Sequence, residues 1–206
     1  MPTARSPLAR LLLRLLLLVG VVALVSCTPA RRGGSDDDDD AGDDDDDDDD
    51  GLTEVPDSQH CAPVADWDPS WSALEWRILE LTNAVRAQGA NCGGEDYPPV
   101  PPLVMQEHLR CSSRLHSVDM LERDFFEHVN PDGVGPGQRI TDAGYNWIGF
   151  GENIGWGSAS AEGMMEGWVG SPGHCSNIMT DWFTELGVGF FADGGDVTWT
   201  QNFGDR

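Results

Sequence analysis

The stretch "SPGHCSNIM", residues 171–179, places a histidine directly beside a cysteine after a Ser-Pro-Gly turn. Three interpretations are open for this pair: a thiol nucleophile with its base, a metal ligand next to a disulfide, or a helix end that only packs. Consecutive side chains usually point in different directions, so His174 is poorly placed to activate the thiol of Cys175. The choice between the other two depends on the segments that fold against this one.

The first 35 residues carry five arginines and no acidic residue. They contain the apolar run Leu15–Val25, which is short for a membrane span but typical of a signal-peptide core. Leu24-Val25-Ser26-Cys27 ends this run and resembles the lipobox of bacterial lipoproteins. The resemblance implies a signal peptide over residues 1–26, acyl chains on Cys27, and export to the bacterial cell envelope, facing the periplasm or the exterior. Ordinary secretion with cleavage nearby, or an uncleaved anchor, is the alternative.

An acidic tract separates this leader from the rest of the chain. Residues 36–50 contain thirteen aspartates, and like charges at that density repel, extend the chain and cannot bury a core. A calcium-binding tract is less favoured, because no turn residues fold the carboxylates around an ion. We therefore expect a disordered linker over residues 27–66, lipid-anchored at Cys27, and a folded domain over residues 67–206.

The charge of the remaining chain limits its partners. Residues 51–206 hold seven arginines, no lysine and 23 acidic residues, a net charge of −16. Nucleic-acid binding needs clustered cations to contact the phosphates, so this balance argues against nucleic acid as a partner.

Four cysteines remain once Cys27 is assigned to lipid, and an even number in an exported chain indicates two disulfides. Three pairings are possible, and we expect Cys92–Cys111 together with Cys61–Cys175. Closing a loop of about 20 residues would stabilise the fold by roughly 3 kcal/mol. A disulfide at Cys175 also removes the thiol-nucleophile interpretation, because a bonded sulfur does not attack a substrate.

Hydrophobic spacing predicts three helices, over residues 68–89, 104–124 and 160–169. Asp68 or Ser70 is the expected N-cap of the first, and Gly89 its end. A helical turn, "ITDAGY", stops at Gly144. Two apolar segments flank Asp193-Gly194-Gly195-Asp196, a strong hairpin signal. Helices early and strands late indicate an α+β fold or a layered α/β/α packing.

Five segments together resemble one family. They are "LTNAVRAQG", "LRCSSRLHSVDMLERDFFEHVNPDG", "RITDAGYNWIGFGENIGWG", "WVGSPGHCSNIMTDWFTELGVGF" and "TWTQNFG". In order and spacing they are similar to the CAP superfamily (cysteine-rich secretory proteins, antigen 5 and plant pathogenesis-related proteins), in its bacterial SCP-like branch, across residues 70–204. The resemblance implies a three-layer α-β-α sandwich with a central cleft. That cleft is lined by two histidines and two glutamates, and the histidine pair can hold a divalent cation such as zinc.

Carried onto this sequence, the resemblance implies His128 and His174 as the two histidines and Glu152 of "GEN" as the first glutamate. The second glutamate is absent, because its position holds Ser171 and Glu166 lies more than a full helical turn away. Because one carboxylate is missing, the chain does not have the pair that a two-carboxylate acid–base mechanism needs. The resemblance therefore identifies no catalytic residue. Two imidazoles and one carboxylate could instead bind zinc and leave a coordination position open.

Two further predictions concern residues near this set. His116 falls on the inward stripe of the second helix, where a hydrogen-bonded core histidine is expected. Trp147 and Trp156 flank the "GEN" loop and could line the rim of a cleft.

Three functions compete. The first is an extracytoplasmic, lipid-anchored CAP domain that binds a protein or lipid ligand in its cleft, with an optional metal. The second is a metal-assisted hydrolase of peptides, with His128 and His174 as ligands and Glu152 as base. The third is a lipid- or sterol-binding module, as some family members are, although no long apolar segment supports it. The motifs G-x-S-x-G and H-E-x-x-H are missing. A family resemblance indicates fold more securely than activity, which ranks the binding function first.

Overall fold

The computed structural model describes residues 54–206, so the predicted signal peptide, the lipidation site Cys27 and the aspartate tract lie outside the described residues. No helix in the described range combines the length and the apolar character that a membrane crossing requires. A 3-10 helix spans Ala62–Val64. The α-helices are α1 (Pro69–Gln88), α2 (Glu107–Glu122), α3 (Pro136–Asp142), α4 (Ala161–Val169) and α5 (Pro172–Met179). The strands are β1 (Ala90–Cys92), β2 (Glu95–Tyr97), β3 (Val104–Met105), β4 (Gly149–Trp156), β5 (Glu185–Asp193) and β6 (Asp196–Asp205).

A four-stranded sheet forms the middle layer of the molecule. Its strand order is β3-β5-β6-β4, with β3 parallel to β5 and the other neighbours antiparallel. The predicted hairpin is β5 with β6, and its turn holds Gly194 and Gly195 at φ of 63° and 93°, which glycine adopts without steric cost. Helix α2 covers one face of the sheet, and α1, α4 and α5 pack over the other. The predicted α+β fold, a three-layer α-β-α sandwich, is therefore confirmed.

Helix α2 lies close against β5. A Cβ atom at Gly187 or Gly189 would collide with the α2 backbone, so both positions require glycine. Serine side chains use this proximity: Ser113 Oγ donates to the Gly187 carbonyl at 3.0 Å, and Ser117 Oγ donates to the Gly189 carbonyl at 2.9 Å. Small polar residues thus hold the helix on the sheet and fix the layer from which one side of the cleft is built.

The first and third predicted helices are confirmed within a residue at each end. Asp68 caps α1 by accepting from the Ser70 amide, and Ser160 caps α4 by accepting from the Gly163 amide. The second predicted helix begins later than expected, at Glu107, because Val104 and Met105 form β3 beside β5.

Two segments differ from the sequence prediction. The glycine-rich "GFGENIGWG" stretch forms the edge strand β4 instead of a loop. Its glycines at positions 149, 151 and 155 face aromatic and methionine side chains that pack too closely for a Cβ atom. The segment Pro172–Met179 forms α5, a helix that the hydrophobic spacing did not predict, and Pro172 suits its first position.

The packed part of the chain begins before the predicted domain start at residue 67. Val55, Cys61 and Val64 are buried against α2 together with Cys111. The predicted linker, residues 27–66, is therefore too long at its C-terminal end. The apolar side chains of Val55, Cys61 and Val64 can be buried, so this part of the chain packs against the fold.

Both disulfides differ from the predicted pairing. The structure has Cys61–Cys111 and Cys92–Cys175, with Cα–Cα distances of 5.6 Å and 5.5 Å. Cys92 and Cys111 are near in sequence but belong to different layers. Strand β1 carries Cys92 and lies beside α5, whereas Cys111 faces the N-terminal segment from α2. The prediction that Cys175 is disulfide-bonded is confirmed, so it is not a nucleophile.

Candidate functional site

Three segments bring the predicted cleft residues to the edge strand β4. Glu152 lies on β4, His128 lies on the loop between α2 and α3, and His174 lies in the first turn of α5. Side chains alternate along a strand, so Glu152 points toward the α2 layer while Asn153 donates to the His174 carbonyl on the other side. The two histidines therefore reach the same edge from opposite layers of the sandwich.

Side chains rather than another strand cap two carbonyls on the outer edge of β4. Asn177 of α5 donates to the Glu152 carbonyl at 3.2 Å, and Trp168 of α4 donates to the Ile154 carbonyl at 2.9 Å. These carbonyls are two residues apart, so both point away from β6. An open edge invites pairing with a second chain. The two side-chain caps occupy these acceptors and fix the backbone that carries Glu152.

Glu152 is the centre of the site, and both of its carboxylate oxygens are engaged. The side chain is 2% exposed, with Nδ1 of His128 at 2.9 Å from Oε1 and Nη2 of Arg139 at 2.7 Å from Oε2. Arg139 also donates through Nη1 to the carbonyls of His128 and Val134. One guanidinium therefore holds both the carboxylate and the loop that presents His128.

The pKa values of the two cleft histidines are shifted in opposite directions. The hydrogen bond to Glu152 raises the pKa of His128, whose side chain is 50% exposed. Burial lowers the pKa of His174, and the charge of His128 adds to this effect. A proton is therefore held on His128 first, while His174 keeps a neutral ring with a free lone pair.

His116 is a third histidine beside the same carboxylate. It is completely buried on α2, as its position on the inward stripe predicts. By strict geometry neither ring nitrogen has a hydrogen-bond partner within residues 54–206, and Nε2 lies 4.0 Å from Oε1 of Glu152. The nearby Glu127 backbone favours the charged ring but does not reach hydrogen-bond geometry. Burial lowers the pKa of His116 to about 4, so its ring is uncharged at neutral pH and lies beside the Glu152 carboxylate.

Arg139 was not predicted as a site residue. It is the first residue of the family-like segment "RITDAGYNWIGFGENIGWG", but nothing local shows that α3 directs this side chain toward β4. A charge argument could have found it. A buried carboxylate needs a cation or several donors, and residues 51–206 contain seven arginines from which to choose.

Within residues 54–206, no group of three or more histidine, cysteine, aspartate or glutamate side chains is arranged to hold a metal ion. A histidine pair is nevertheless available. Glu152 occupies Nδ1 of His128 and leaves Nε2 as the ring atom that could bind a cation. A carboxylate on the second ring nitrogen is a common arrangement for metal-ligating histidines. A divalent ion here would take two imidazoles from the chain and the rest of its shell from water or a ligand.

Exposed aromatic side chains surround this edge. Trp156, at the end of β4, packs edge-on against Phe126 with ring centroids 6.0 Å apart. Trp147 packs against Phe150 at 4.8 Å, and its indole N–H donates to Thr141. Trp147 and Trp156 are both exposed, as expected of residues at the rim of a cleft.

The sequence matches a family model over most of the described residues. The model is that of the cysteine-rich secretory protein family (CAP), and it matches residues 79–203. Uncharacterized protein YkwD of Bacillus subtilis is 34% identical over 134 residues, which cover 65% of this chain and 48% of YkwD. Uncharacterized membrane protein YlbC of Bacillus subtilis is 28% identical over 145 residues, which cover 68% of this chain and 38% of YlbC. The chain thus spans about half or less of the length of these curated relatives.

Solved structures share this fold. An extracellular protein containing an SCP domain from Bacillus anthracis is 26% identical with a TM-score of 0.58, and the match covers 68% of this chain and 44% of that one. An outer surface protein from Borrelia burgdorferi is 17% identical with a TM-score of 0.53, over 66% of this chain and 91% of that one. A cysteine-rich secretory protein from Staphylococcus aureus is 15% identical with a TM-score of 0.51, over 68% of this chain and 41% of that one. At these identities the last two support the fold alone.

Proposed function

Because the chain belongs to the cysteine-rich secretory protein (CAP) family, we propose that it binds a ligand or a protein partner in the cleft of His128, Glu152 and His174. The observation that carries this proposal is the hydrogen bonding of the Glu152 carboxylate. Its oxygens are held by Arg139 and by Nδ1 of His128, so the carboxylate orients an imidazole whose other nitrogen is left available at a half-exposed surface. Such an arrangement presents a donor or a lone pair to a ligand.

The same geometry ranks the binding function above the hydrolase. In a metal-assisted hydrolase of peptides, Glu152 would act as the base that takes a proton from water. A base needs a free oxygen within hydrogen-bond reach of that proton. Each oxygen already accepts one hydrogen bond, from His128 or Arg139, and the side chain is only 2% exposed, which favours an orienting role for the carboxylate. The lipid- or sterol-binding alternative has no specific contact in its favour.

A divalent cation such as zinc is part of the proposal. His128 would ligate through Nε2 and His174 through its neutral ring, and both residues approach the edge of β4 from opposite layers. A bound cation would supply an open coordination position for a ligand. With two protein ligands, we expect affinity well below that of a closed structural zinc site.

The cellular location is proposed from the leader sequence and from the relatives. Residues 1–26 have the order of a lipoprotein signal peptide, and Cys27 is the acyl acceptor that it implies. The Bacillus anthracis relative is described as an extracellular protein. We place the domain outside the cytoplasm, anchored to the bacterial cell envelope through Cys27, with the aspartate tract as its spacer.

The test is a zinc titration of the oxidised full-length chain by calorimetry. The variants are His128→Ala and His174→Ala, and the matched control is His60→Ala, which removes an exposed histidine far from the cleft in sequence. We expect one-site binding that both cleft variants abolish and the control retains. Binding that survives both cleft substitutions would mean that the histidines do not form a metal site.

A further inference from the structure

Exposed apolar side chains are concentrated around the cleft. Eight large apolar side chains are exposed in residues 54–206, and six of them lie on β4 or on segments that adjoin it. These six, called the rim below, are Phe126, Val129, Trp147, Ile148, Trp156 and Trp182. Scattered exposed apolar residues are normal, but six of eight along one strand edge favour an interaction surface there.

Packing contacts connect the rim to the cleft. Phe126 and Val129 flank His128 in the chain, and Trp156 packs on Phe126. At the other end of β4, the ring of Trp182 lies against Gly149, where a Cβ atom would collide with it. A ligand that reaches the exposed ring of His128 would therefore also contact aromatic and aliphatic side chains.

The charge around the rim is negative on balance. Four acidic side chains are exposed beside rim residues or beside His128, and none of them forms a salt bridge within the described range. They are Asp124, Glu127, Asp142 and Asp181. The charge of Glu127 acts on His128, where it raises the pKa of the imidazole. The surface next to the cleft thus combines apolar rings with carboxylates that lack a salt bridge.

No arginine is available near the rim to balance these carboxylates. The chain has no lysine, and every arginine in residues 54–206 already has acceptors within the protein. Arg86 donates to four backbone carbonyls. The other arginines pair with carboxylates: Arg77 with Glu80 and Glu162, Arg123 with Asp119 and Asp132, Arg139 with Glu152, and Arg206 with Glu185. Arg110 and Arg114 share Glu54 and Glu75. An anionic ligand would meet an excess of carboxylates around the rim, which costs affinity and slows association.

We propose that the rim and cleft bind a cationic peptide segment in which lysine or arginine alternates with aliphatic residues. The aliphatic side chains bury against the rim rings, and the cations pair with the carboxylates or lie over the faces of the exposed tryptophans. The inference rests on the proposed function, because it names the chemical class of the ligand at the same cleft. It commits to a basic peptide and against a phospholipid headgroup or an acidic glycan.

The mode of binding follows from the capped strand edge. Asn177 and Trp168 occupy the outward carbonyls of Glu152 and Ile154, so a peptide that added a strand to the sheet would have to displace both side chains. Recognition therefore depends on side-chain chemistry. The net charge of −16 over residues 51–206 would steer such a peptide to the protein, and salt would weaken the effect.

The test uses the oxidised full-length chain and three short dye-labelled peptides read by fluorescence anisotropy. The first alternates lysine with leucine, the second replaces each lysine by glutamate, and the third replaces each leucine by serine. We expect the lysine–leucine peptide to bind at least about tenfold more tightly than either twin, and to lose affinity as salt rises. This comparison uses the unaltered protein and does not depend on how a variant folds. Equal binding of the glutamate twin would overturn the charge argument.

Variants separate the rim from the aspartate tract, which could also attract lysine. Trp156→Ser and Trp182→Ser should each weaken the lysine–leucine peptide by about fivefold to tenfold. The matched control is Trp76→Ser, since Trp76 is an equally exposed tryptophan on α1 away from β4. Glu127→Gln should weaken binding by about twofold, against no change for Glu95→Gln. If the rim variants behave like the Trp76 control, the peptide binds elsewhere and the proposal fails.

Failure here is distinguishable from failure of the proposed function. If zinc binding requires both cleft histidines while the lysine–leucine peptide ignores the rim, the cleft remains a ligand site and only the basic-peptide assignment falls. If neither zinc nor any peptide depends on the cleft or the rim, both proposals fall together.

Discussion

Two buried glutamates stand beside arginines in this molecule, and their surroundings differ. Glu75 on α1 is fully buried and accepts hydrogen bonds from both Arg110 and Arg114, from the indole of Trp67 and from the backbone amide of Phe190. Glu152 on β4 accepts from Arg139 and from His128. The donors around Glu75 are held inside the structure, whereas His128 is half exposed.

The difference separates a structural region from a functional one. Around Glu152, three buried nitrogen atoms lack a hydrogen-bond partner within residues 54–206: both ring nitrogens of His116 and Nε of Arg139. Around Glu75 there is one, Nη2 of Arg110, and it lies 3.3 Å from a Glu54 carboxylate oxygen. A satisfied buried network rigidifies the structure, whereas the network of Glu152 ends at the half-exposed ring of His128, which a ligand can reach.

The largest effect is expected from Glu75→Gln. This change keeps the size of the side chain but leaves Glu54 as the only carboxylate paired with the guanidinium groups of Arg110 and Arg114. Breaking a buried ion pair on one side costs about 3–5 kcal/mol. Urea denaturation of the oxidised protein measures the loss.

The matched control for this experiment is Glu80→Gln on the same helix. Glu80 pairs with Arg77 at the surface, where ion pairs contribute at most about 1 kcal/mol. If the two variants lose similar stability, the ion pairs of Glu75 with Arg110 and Arg114 do not stabilise the fold more than a surface pair does.

The next largest effect concerns acid stability and His116. Burial lowers the pKa of His116 to about 4 from an ordinary value of 6.5. Between these values the unfolded chain binds a proton that the folded protein does not, so stability is lost as the pH falls from 6.5 toward 4. The loss attributable to this residue is about 3 kcal/mol by pH 4.

His116→Phe should remove that acid-dependent loss with little change at neutral pH, because neither ring nitrogen makes a hydrogen bond that the substitution would break. Denaturation at pH 7 and at pH 4.5 measures the difference between wild type and variant. His60→Phe, at an exposed position, is the control and should follow wild type. Parallel pH profiles for wild type and His116→Phe would show that His116 is not the group responsible.

The two regions also show what the sequence alone could predict. Local signals were sufficient for α1, where Asp68 caps the start and Gly89 ends it, and for the hairpin around Gly194. The Glu75 network was not predicted, because Arg110 and Arg114 are 35 and 39 residues away and nothing local connects them to it. Contacts of that kind depend on how the layers pack, which periodicity does not encode.

The cleft shows a similar division. His128, Glu152 and His174 were named through short motifs, and the structure places them at one strand edge. Arg139 was missed although it begins a family-like segment, since nothing local shows that its short helix directs the side chain toward Glu152. The disulfide pairing was wrong for a related reason: nearness in sequence was weighed, but the layer to which each cysteine belongs decides its partner.

The smallest effect, and the finest test of the comparison, is expected for Glu152→Gln on the titration of His128. The hydrogen bond to the Glu152 carboxylate is the main cause that raises the pKa of His128. A neutral amide removes that charge, so the pKa should fall toward the ordinary value of 6.5. NMR titration of the histidine ring protons reads this directly. His174 should move little, since burial is the main cause of its lowered pKa.

The sign of the linked stability change is fixed by the direction of the shift. A histidine whose pKa is raised on folding stabilises the protein below its unfolded pKa, and this contribution is lost as the pH rises through the folded value. Wild type should therefore lose slightly more stability than Glu152→Gln as the pH rises past that value. The exposure of His128 keeps the effect small, because solvent screens the pair. An unchanged His128 pKa in the variant would mean that the carboxylate does not orient the imidazole, and the functional character assigned to this region would lose its main support.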